Sequence, residues 1–404
     1  MPPFIRGKGE QAHRMEWINL AIRWIHVITG VAWIGTSFYF NWLEGNLDRK
    51  GQKPKGVAGD LWAIHGGGFY HVTKYAVAPD QLPETLHWFK WEAYFTWISG
   101  FLLLGIVYYH GASLYLIDPY VADIPVWGGI LIGLLSMGLG WYVYDTICRS
   151  MKESPVGLAI IGLFLMVGVA WFLCQVFTPR GAYIHVGAIL GTLMAANVFR
   201  VIIPNQRDMV DDMMEGKEPD PEPGKAALQR SVHNNYLTLP VLFIMVSNHY
   251  PITFGHPYNW LVLTGISLIG MGVRHYFNLK NQGHRKKWIL PVAAGAMVAL
   301  ALVTNVTANL GNKIEGPPIA FREIQPIIQK RCATCHSAAP TDDLYTIAPN
   351  GVMFDTPKQI QKWAPTIMQR SVILKNMPLG NKTGITDEER NKIGRWVKWG
   401  AKLD

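Results

Sequence analysis

Charged side chains are scarce in this chain of 404 residues. Asp, Glu, Lys and Arg make up 16% of the residues, whereas half of the residues are hydrophobic. An ordinary soluble domain is about a quarter charged. The shortage is concentrated in long apolar runs, which are separated by short segments rich in Lys and Arg. This distribution argues against a soluble enzyme and predicts a protein that crosses the membrane several times.

Cysteine is also rare, with four residues in the whole chain. Cys148 and Cys174 each lie alone in an apolar context, where a small buried side chain is the expected role. A cleavable signal peptide is not expected, because residues 1–16 are polar and the first apolar run is too long for one. The net charge of +9 does not indicate a nucleic-acid partner, because the basic residues lie mainly between apolar runs.

Eight apolar runs are long enough to cross, or nearly cross, the roughly 30 Å of hydrocarbon in a bilayer. They predict an all-α polytopic bundle of about eight transmembrane helices. The sixth run is the shortest, and extending it back to Ser231 would bury His233 and Asn234. The runs cover residues 17–40, 91–110, 126–145, 155–177, 181–203, 236–249, 259–278 and 288–310.

The charges of the loops predict the orientation of the bundle. Lys and Arg accumulate in the odd-numbered loops between runs, whereas the even-numbered loops contain only Arg180. Because basic loops stay in the cytoplasm, both termini are predicted on the periplasmic side of a bacterial-type inner membrane. The acidic, proline-containing stretch 208–222 is predicted to be a solvated linker.

The strongest local motif is Cys332-Ala333-Thr334-Cys335-His336. C-x-x-C-H is the attachment signature of c-type haem, in which two thiols hold the porphyrin and the His binds the iron. A zinc site would need further Cys or His ligands, and none follows His336 in the chain. A redox-active dithiol is the other alternative. We expect one covalent haem c in a domain at 318–404, separated from a membrane domain at 1–311 by Gly316-Pro317-Pro318.

The second axial ligand of this haem is predicted to be Met377. It lies in a Pro/Gly-rich loop after His336, and Met353 and Met368 are the alternatives. A His/Met pair raises the reduction potential, which suits an electron acceptor. The capping-box sequence Thr386 to Glu389 predicts a terminal helix, as expected for a small class I cytochrome c domain.

Two histidines lie within the predicted spans, where ionisable residues are functional candidates. His26 in the first run and His185 in the fifth fall at similar depth, together with Arg23. Imidazoles on facing helices can clamp a non-covalent haem b. Alternatively, each His packs in the core and is hydrogen-bonded to a neighbour.

A second polar group lies in the long first loop, on the predicted cytoplasmic side. His65 and His71 flank a glycine triplet that would let the backbone approach a ligand closely. Together with Lys74, Glu84 and His87, they are the predicted catalytic residues, with His or Glu as the base. The alternative is that these side chains only anchor the loop at the membrane interface.

The sequence 24–35 (WIHVITGVAWIG), the His65–His71 loop, the eight apolar runs and the C-terminal haem motif resemble the bacterial membrane urate hydroxylases, or urate dehydrogenases. This resemblance covers nearly the whole chain. It implies oxidation of urate to 5-hydroxyisourate, with electrons passing through the cytochrome c domain to a downstream cytochrome or terminal oxidase. The residue assignments above come from the chain itself.

Two other functions compete with this interpretation. One is a membrane-anchored cytochrome c that takes electrons from quinol and performs no substrate chemistry. The other is a cytochrome c subunit fused to a terminal oxidase, which is disfavoured because the spans lack a dense set of histidines. In both alternatives, as in the urate hydroxylase interpretation, the protein is embedded in membrane lipid.

Overall fold

The computed structural model describes residues 3–310, 314–343 and 345–403, with side chains omitted for 3–12 and 308–310. The chain is mainly helical. Helices α2, α6 and α13 each continue into a π-helical segment: Leu104–Tyr109, Val198–Ile202 and Met368–Ile373, respectively. The helices are α1 Pro3–Asn46, α2 Trp91–Leu103, α3 Ala112–Tyr115, α4 Val126–Ser150, α5 Pro155–Val176, α6 Pro179–Asn197, α7 Ile203–Met214, α8 Pro221–Ser247, α9 Pro251–Phe254, α10 Asn259–Asn281, α11 Ile289–Leu310, α12 Phe321–Arg331, α13 Pro357–Ile367 and α14 Asp387–Lys398.

Six helical stretches in the described part of the chain are long and apolar enough to cross a membrane. They coincide with six of the eight predicted runs. The other two runs lie in α8 and α10, which pack against each other and, through α8, against α6. These two helices carry more polar residues, among them Arg230 and Arg274, so membrane crossing by α8 and α10 stays a prediction.

The all-α prediction is wrong in the first loop, which contains an antiparallel hairpin of β1 (Val57–His65) and β2 (Gly68–Tyr75). Apolar and aromatic residues dominate both strands, as pleated surfaces favour. Gly66 and Gly67 form the two-residue turn with φ of 58° and 81°. Positive φ at both central residues is what a type I′ hairpin turn requires, so the turn itself accounts for these two glycines.

The stretch 208–222, predicted to be a solvated linker, is mostly exposed, but much of it is helical instead of irregular. Helix α7 continues to Met214, and α8 begins at Pro221, where the Asp220 side chain accepts a hydrogen bond from the Glu222 N–H. An aspartate at this N-cap position stabilises the start of a helix. The sixth predicted run therefore belongs to a helix of 27 residues that begins well before Ser231.

Besides a small hydrophobic cluster around Ala93, Val198 and Ile203, the two largest clusters of the described residues lie in different parts of the chain. One lies in the bundle around Leu173, Phe177 and Tyr183. The other lies in residues 314–403, here called the C-terminal segment, where Phe321 in α12 packs on Trp396 in α14 at 5.6 Å between ring centroids. The predicted capping box is confirmed, because Thr386 and Glu389 exchange the expected side-chain and backbone hydrogen bonds.

The C-terminal segment rests on the end of the bundle formed by α3 and α9. Gly380, at φ 57°, approaches so closely that a Cβ there would lie 2.8 Å from the Leu114 carbonyl oxygen. The Tyr115 and Tyr345 hydroxyls are 3.2 Å apart. Both α3 and α9 belong to loops that were predicted to lie on the same side as the C-terminus, and the identity of that side stays a prediction.

Candidate functional site

A cavity of about 1120 Å³ lies between the bundle and the C-terminal segment. Its bundle walls come from α1, α2, α6 and α8, and it extends as deep as Trp33 and Met194. At the other end it is lined by Cys332, Cys335 and His336. The C-x-x-C-H motif and the interior of the bundle therefore share one space.

The motif is built by the end of α12. The Cys332 N–H donates to the Ile328 carbonyl, and the His336 N–H donates to the Cys332 carbonyl at 3.0 Å, which brings the motif round in one turn. The His336 Nδ1–H donates to the Val352 carbonyl at 3.1 Å. This bond fixes the tautomer and leaves Nε2 available as a metal ligand.

The two rival interpretations of the motif find little support in this geometry. Burial raises the pKa of the Cys332 thiol to about 12, whereas a redox-active dithiol needs a lowered pKa. Within the described residues there is no group of three His, Cys, Asp or Glu side chains that could hold a metal ion. A zinc site at the motif would lack its remaining ligands.

Of the three candidate methionines, Met377 shares the cavity with His336, whereas Met353 and Met368 are not part of its wall. Met368 packs instead against the core of the C-terminal segment. The loop that carries Met377 is held by Arg390, whose Nη1 donates to the Met377 carbonyl at 2.7 Å. The geometry thus favours Met377 as the partner of His336.

Two of the three π-helical segments contribute to the cavity wall. Leu104 and Tyr108 come from the segment that continues α2, and Arg370 and Ser371 come from the one that continues α13. Such segments often occur at functional sites, because the extra residue per turn re-aims side chains. Their positions support the cavity as the functional centre.

The described residues of the cavity wall include basic side chains and no Asp or Glu. Arg331 is paired with Glu389 at 3.0 Å, and Lys382 is paired with Asp342 at 2.7 Å. The remaining three basic side chains have no carboxylate partner among the described residues. These three are Arg23, Arg180 and Arg370. A cavity with this charge favours an anionic ligand.

The two membrane histidines have different surroundings. His26 lines the cavity, and its Nδ1–H donates to the Thr96 carbonyl at 3.0 Å, so that Nε2 remains free. His185 is fully buried outside the cavity wall. Its Nδ1–H donates to the Gly181 carbonyl at 2.8 Å, and the Tyr109 hydroxyl donates to its Nε2 at 3.3 Å. His185 is thus satisfied by protein groups, and the haem b clamp stays a prediction.

His249 and its neighbour Asn248, which were not predicted as site residues, line the cavity after the end of α8. The Tyr108 hydroxyl donates to Asn248 Oδ1 at 3.2 Å. The available signal was their place at the predicted periplasmic end of the sixth run, the side on which the haem motif was also predicted. His26 and His249 are therefore two imidazoles from the bundle that reach the same cavity.

The five predicted catalytic residues of the first loop do not line the cavity. His71 Nε2 lies 2.8 Å from Asp60 Oδ2, and its ring stacks on Trp62 at 4.4 Å. Lys74 pairs with Glu44 at the end of α1. The other three, His65, Glu84 and His87, are exposed. The hairpin and its ion pairs account for His71 and Lys74, and a catalytic role for the five stays a prediction.

Comparison with known proteins assigns the bundle to a protein family. No curated protein and no solved structure matched the chain significantly. Residues 12–305 match the family described as urate oxidase N-terminal, and they include all of the long bundle helices except the ends of α1 and α11. The match spans well over half of the sequence, and the chain therefore belongs to the urate oxidase N-terminal family.

Proposed function

We propose that the protein is a membrane urate hydroxylase that oxidises urate to 5-hydroxyisourate in the cavity between the bundle and the C-terminal segment. Cys332, Cys335, His336 and Met377 would hold a haem c, and this group would supply the electron acceptor that links urate oxidation to a downstream cytochrome or terminal oxidase. The observation that carries this proposal is the shared cavity. The family-matched bundle and the C-x-x-C-H motif form opposite ends of one positively charged space.

The residues present fit a covalent haem. Two thiols and a histidine with its Nδ1 already bonded lie on one wall, and Met377 lines the same space. When bound, the haem supplies a one-electron sink that can be used twice for each substrate. The C-terminal segment, predicted as a cytochrome c domain at 318–404, would thereby transfer the electrons from the cavity to the downstream acceptor.

The cavity walls suit urate, which is a planar and electron-rich anion at neutral pH. The unpaired arginines can pair with its oxygens, and Trp33, Trp97 and Trp363 offer faces on which a purine can stack. Overall, urate loses two electrons and two protons, and water adds its oxygen to the purine C5. His26 and His249 are the imidazoles that can accept these protons.

This arrangement removes a difficulty posed by a cytoplasmic active site. The haem and the predicted cytoplasmic loop would lie about 30 Å apart across the hydrocarbon, a distance too long for a fast single electron transfer. A substrate in the cavity lies beside the motif instead. We therefore propose an inner-membrane protein with the cavity and the C-terminal segment on the periplasmic side.

A topology experiment tests this orientation. A reporter that works only outside the cytoplasm should be active when it is fused after Asp404. A reporter that works only in the cytoplasm should be active when it is inserted near Lys217, in the turn between α7 and α8. Inverted activities at the two positions would contradict the loop-charge argument.

The function itself is tested by anaerobic reduction of the purified protein. Urate should reduce the haem c, and 5-hydroxyisourate should appear at one molecule per two electrons delivered to an added acceptor. The competing quinol-linked carrier would be reduced by a quinol and not by urate. Xanthine, which has a hydrogen instead of an oxygen at C8, is a useful control for purine specificity.

The axial ligand gives a separate prediction. Met377→Ala should abolish the weak methionine–iron absorption near roughly 700 nm and lower the haem reduction potential, because a thioether ligand raises that potential. Met353→Ala and Met368→Ala should leave the band in place. Loss of the band in either control variant, with its retention in Met377→Ala, would reassign the ligand.

A further inference from the structure

Two arginines from different parts of the chain meet at the cavity. Arg180 lies in the first turn of α6 in the bundle, and Arg370 lies in the π-helical segment that follows α13. Both side chains are half-buried and both line the cavity. Each therefore reaches the same space from one side of the junction between bundle and C-terminal segment.

Neither arginine has an ion-pair partner among the described residues, in contrast to Arg331 and Lys382 in the same wall. The Nε of Arg180 is buried and has no hydrogen-bond partner. Arg370 is likewise partly buried, and the positive charge of Arg180 acts on it. Two uncompensated charges held close together raise the free energy of the empty site, and an arriving anion would offset that cost.

The surroundings hold the Arg180 side chain and the Arg370 backbone in position. The Arg180 guanidinium lies 5.5 Å from the centre of the Phe254 ring, a cation–π contact from α9. The Arg370 carbonyl accepts the backbone N–H groups of Asn376 and Met377, at 3.0 and 3.2 Å. The Arg370 backbone is thus hydrogen-bonded to that of the proposed iron ligand, and both residues line the cavity, so an anion bound to Arg370 would share that space with the electron acceptor.

We propose that Arg180 and Arg370 together form an anion-binding site for a planar oxyanion, which bridges the bundle and the C-terminal segment. This inference rests on the proposed function, because it assumes that the cavity receives an anion and that electrons leave through the C-terminal segment. The oxyanion has two possible sources with the same chemistry, the urate monoanion and a carboxylate of the haem itself. A guanidinium pair can bind either one with charge-assisted hydrogen bonds.

The test compares Arg180→Gln and Arg370→Gln with Arg285→Gln, which removes one charge from an exposed arginine outside the cavity. Haem content is measured first, and then the KM for urate, the kcat and the haem reduction potential. If the site holds urate, KM should rise about tenfold or more in both cavity variants, with the potential unchanged. If it holds a haem carboxylate, the potential should fall and KM should stay the same.

A change in KM or a change in the haem potential supports the site. A KM and a potential that equal those of Arg285→Gln in both cavity variants would overturn it. If a Gln variant loses its haem, Arg180→Lys and Arg370→Lys keep the charge but remove the two-pronged geometry, and should show the same effects in weaker form. If urate fails to reduce the wild-type haem, the proposed function falls. Equilibrium binding of radiolabelled urate and the haem potential then still decide the inference.

Discussion

Replacing Cys332 and Cys335 together by Ala should remove all covalent haem from the protein and abolish urate-driven electron transfer. The physical reason is that both thiols lie on the cavity wall next to His336, and thioether bonds are what keep a c-type haem attached after denaturation. Haem-dependent peroxidase staining of the denatured chain on a gel measures the attachment. Urate-dependent reduction of an artificial acceptor measures the activity.

Cys174→Ala is the matched control for this experiment. Cys174 is a half-buried residue in α5, far along the chain from the motif, and it packs against the core of the bundle. Its replacement should leave both staining and activity intact. Urate-driven activity in the double Ala variant at the wild-type rate would contradict the electron route through the C-terminal segment.

The same double variant tests the haem b prediction. Pyridine haemochrome spectra of the purified wild-type protein should show haem c, and any non-covalent haem would give an additional haem-b signal. Haem b retained by the double Ala variant and lost on His26→Ala would support a second cofactor in the bundle. A variant free of haem would restrict the redox chemistry to the haem c.

Gly191→Phe should impair urate oxidation strongly while leaving the haem in place. Gly191 lies in α6 in the cavity wall, and a Cβ added there would meet no other atom within 4 Å. A side chain can therefore leave the backbone at this position, and a phenyl ring would take up cavity space that the substrate needs. Because misplacing a substrate by about 1 Å can cost roughly a hundredfold, kcat/KM for urate should fall at least about tenfold, while dithionite still reduces the haem.

Gly162→Phe provides the comparison for this substitution. Gly162 is also a helical glycine with open space at its Cβ position, but it lies in α5, is exposed, and is not part of the cavity wall. It should retain the wild-type kcat/KM. Equal losses in both variants would indicate a general effect on the bundle, and no loss in Gly191→Phe would place the substrate elsewhere.

Local patterns decided which parts of this chain became helices and which motif stands out. Six apolar runs became helices able to cross a membrane, because their composition satisfies the bilayer without long-range contacts. The capping box at Thr386 formed as predicted, since its hydrogen bonds join residues three positions apart. The C-x-x-C-H motif is equally local. In contrast, pattern alone missed the hairpin, where an apolar loop paired with itself around Gly66 and Gly67.

The sequence by itself therefore determined the six apolar helices, the capped terminal helix and the cysteine motif. Only the tertiary structure decided which polar residues share a space. It brought His26, His249 and Arg180 of the bundle to the same cavity as Arg370 and His336, and it placed His185 and the hairpin histidines outside it. These residues are separated by tens to hundreds of positions, and their proximity arises from helix packing, which leaves no periodic trace in the sequence.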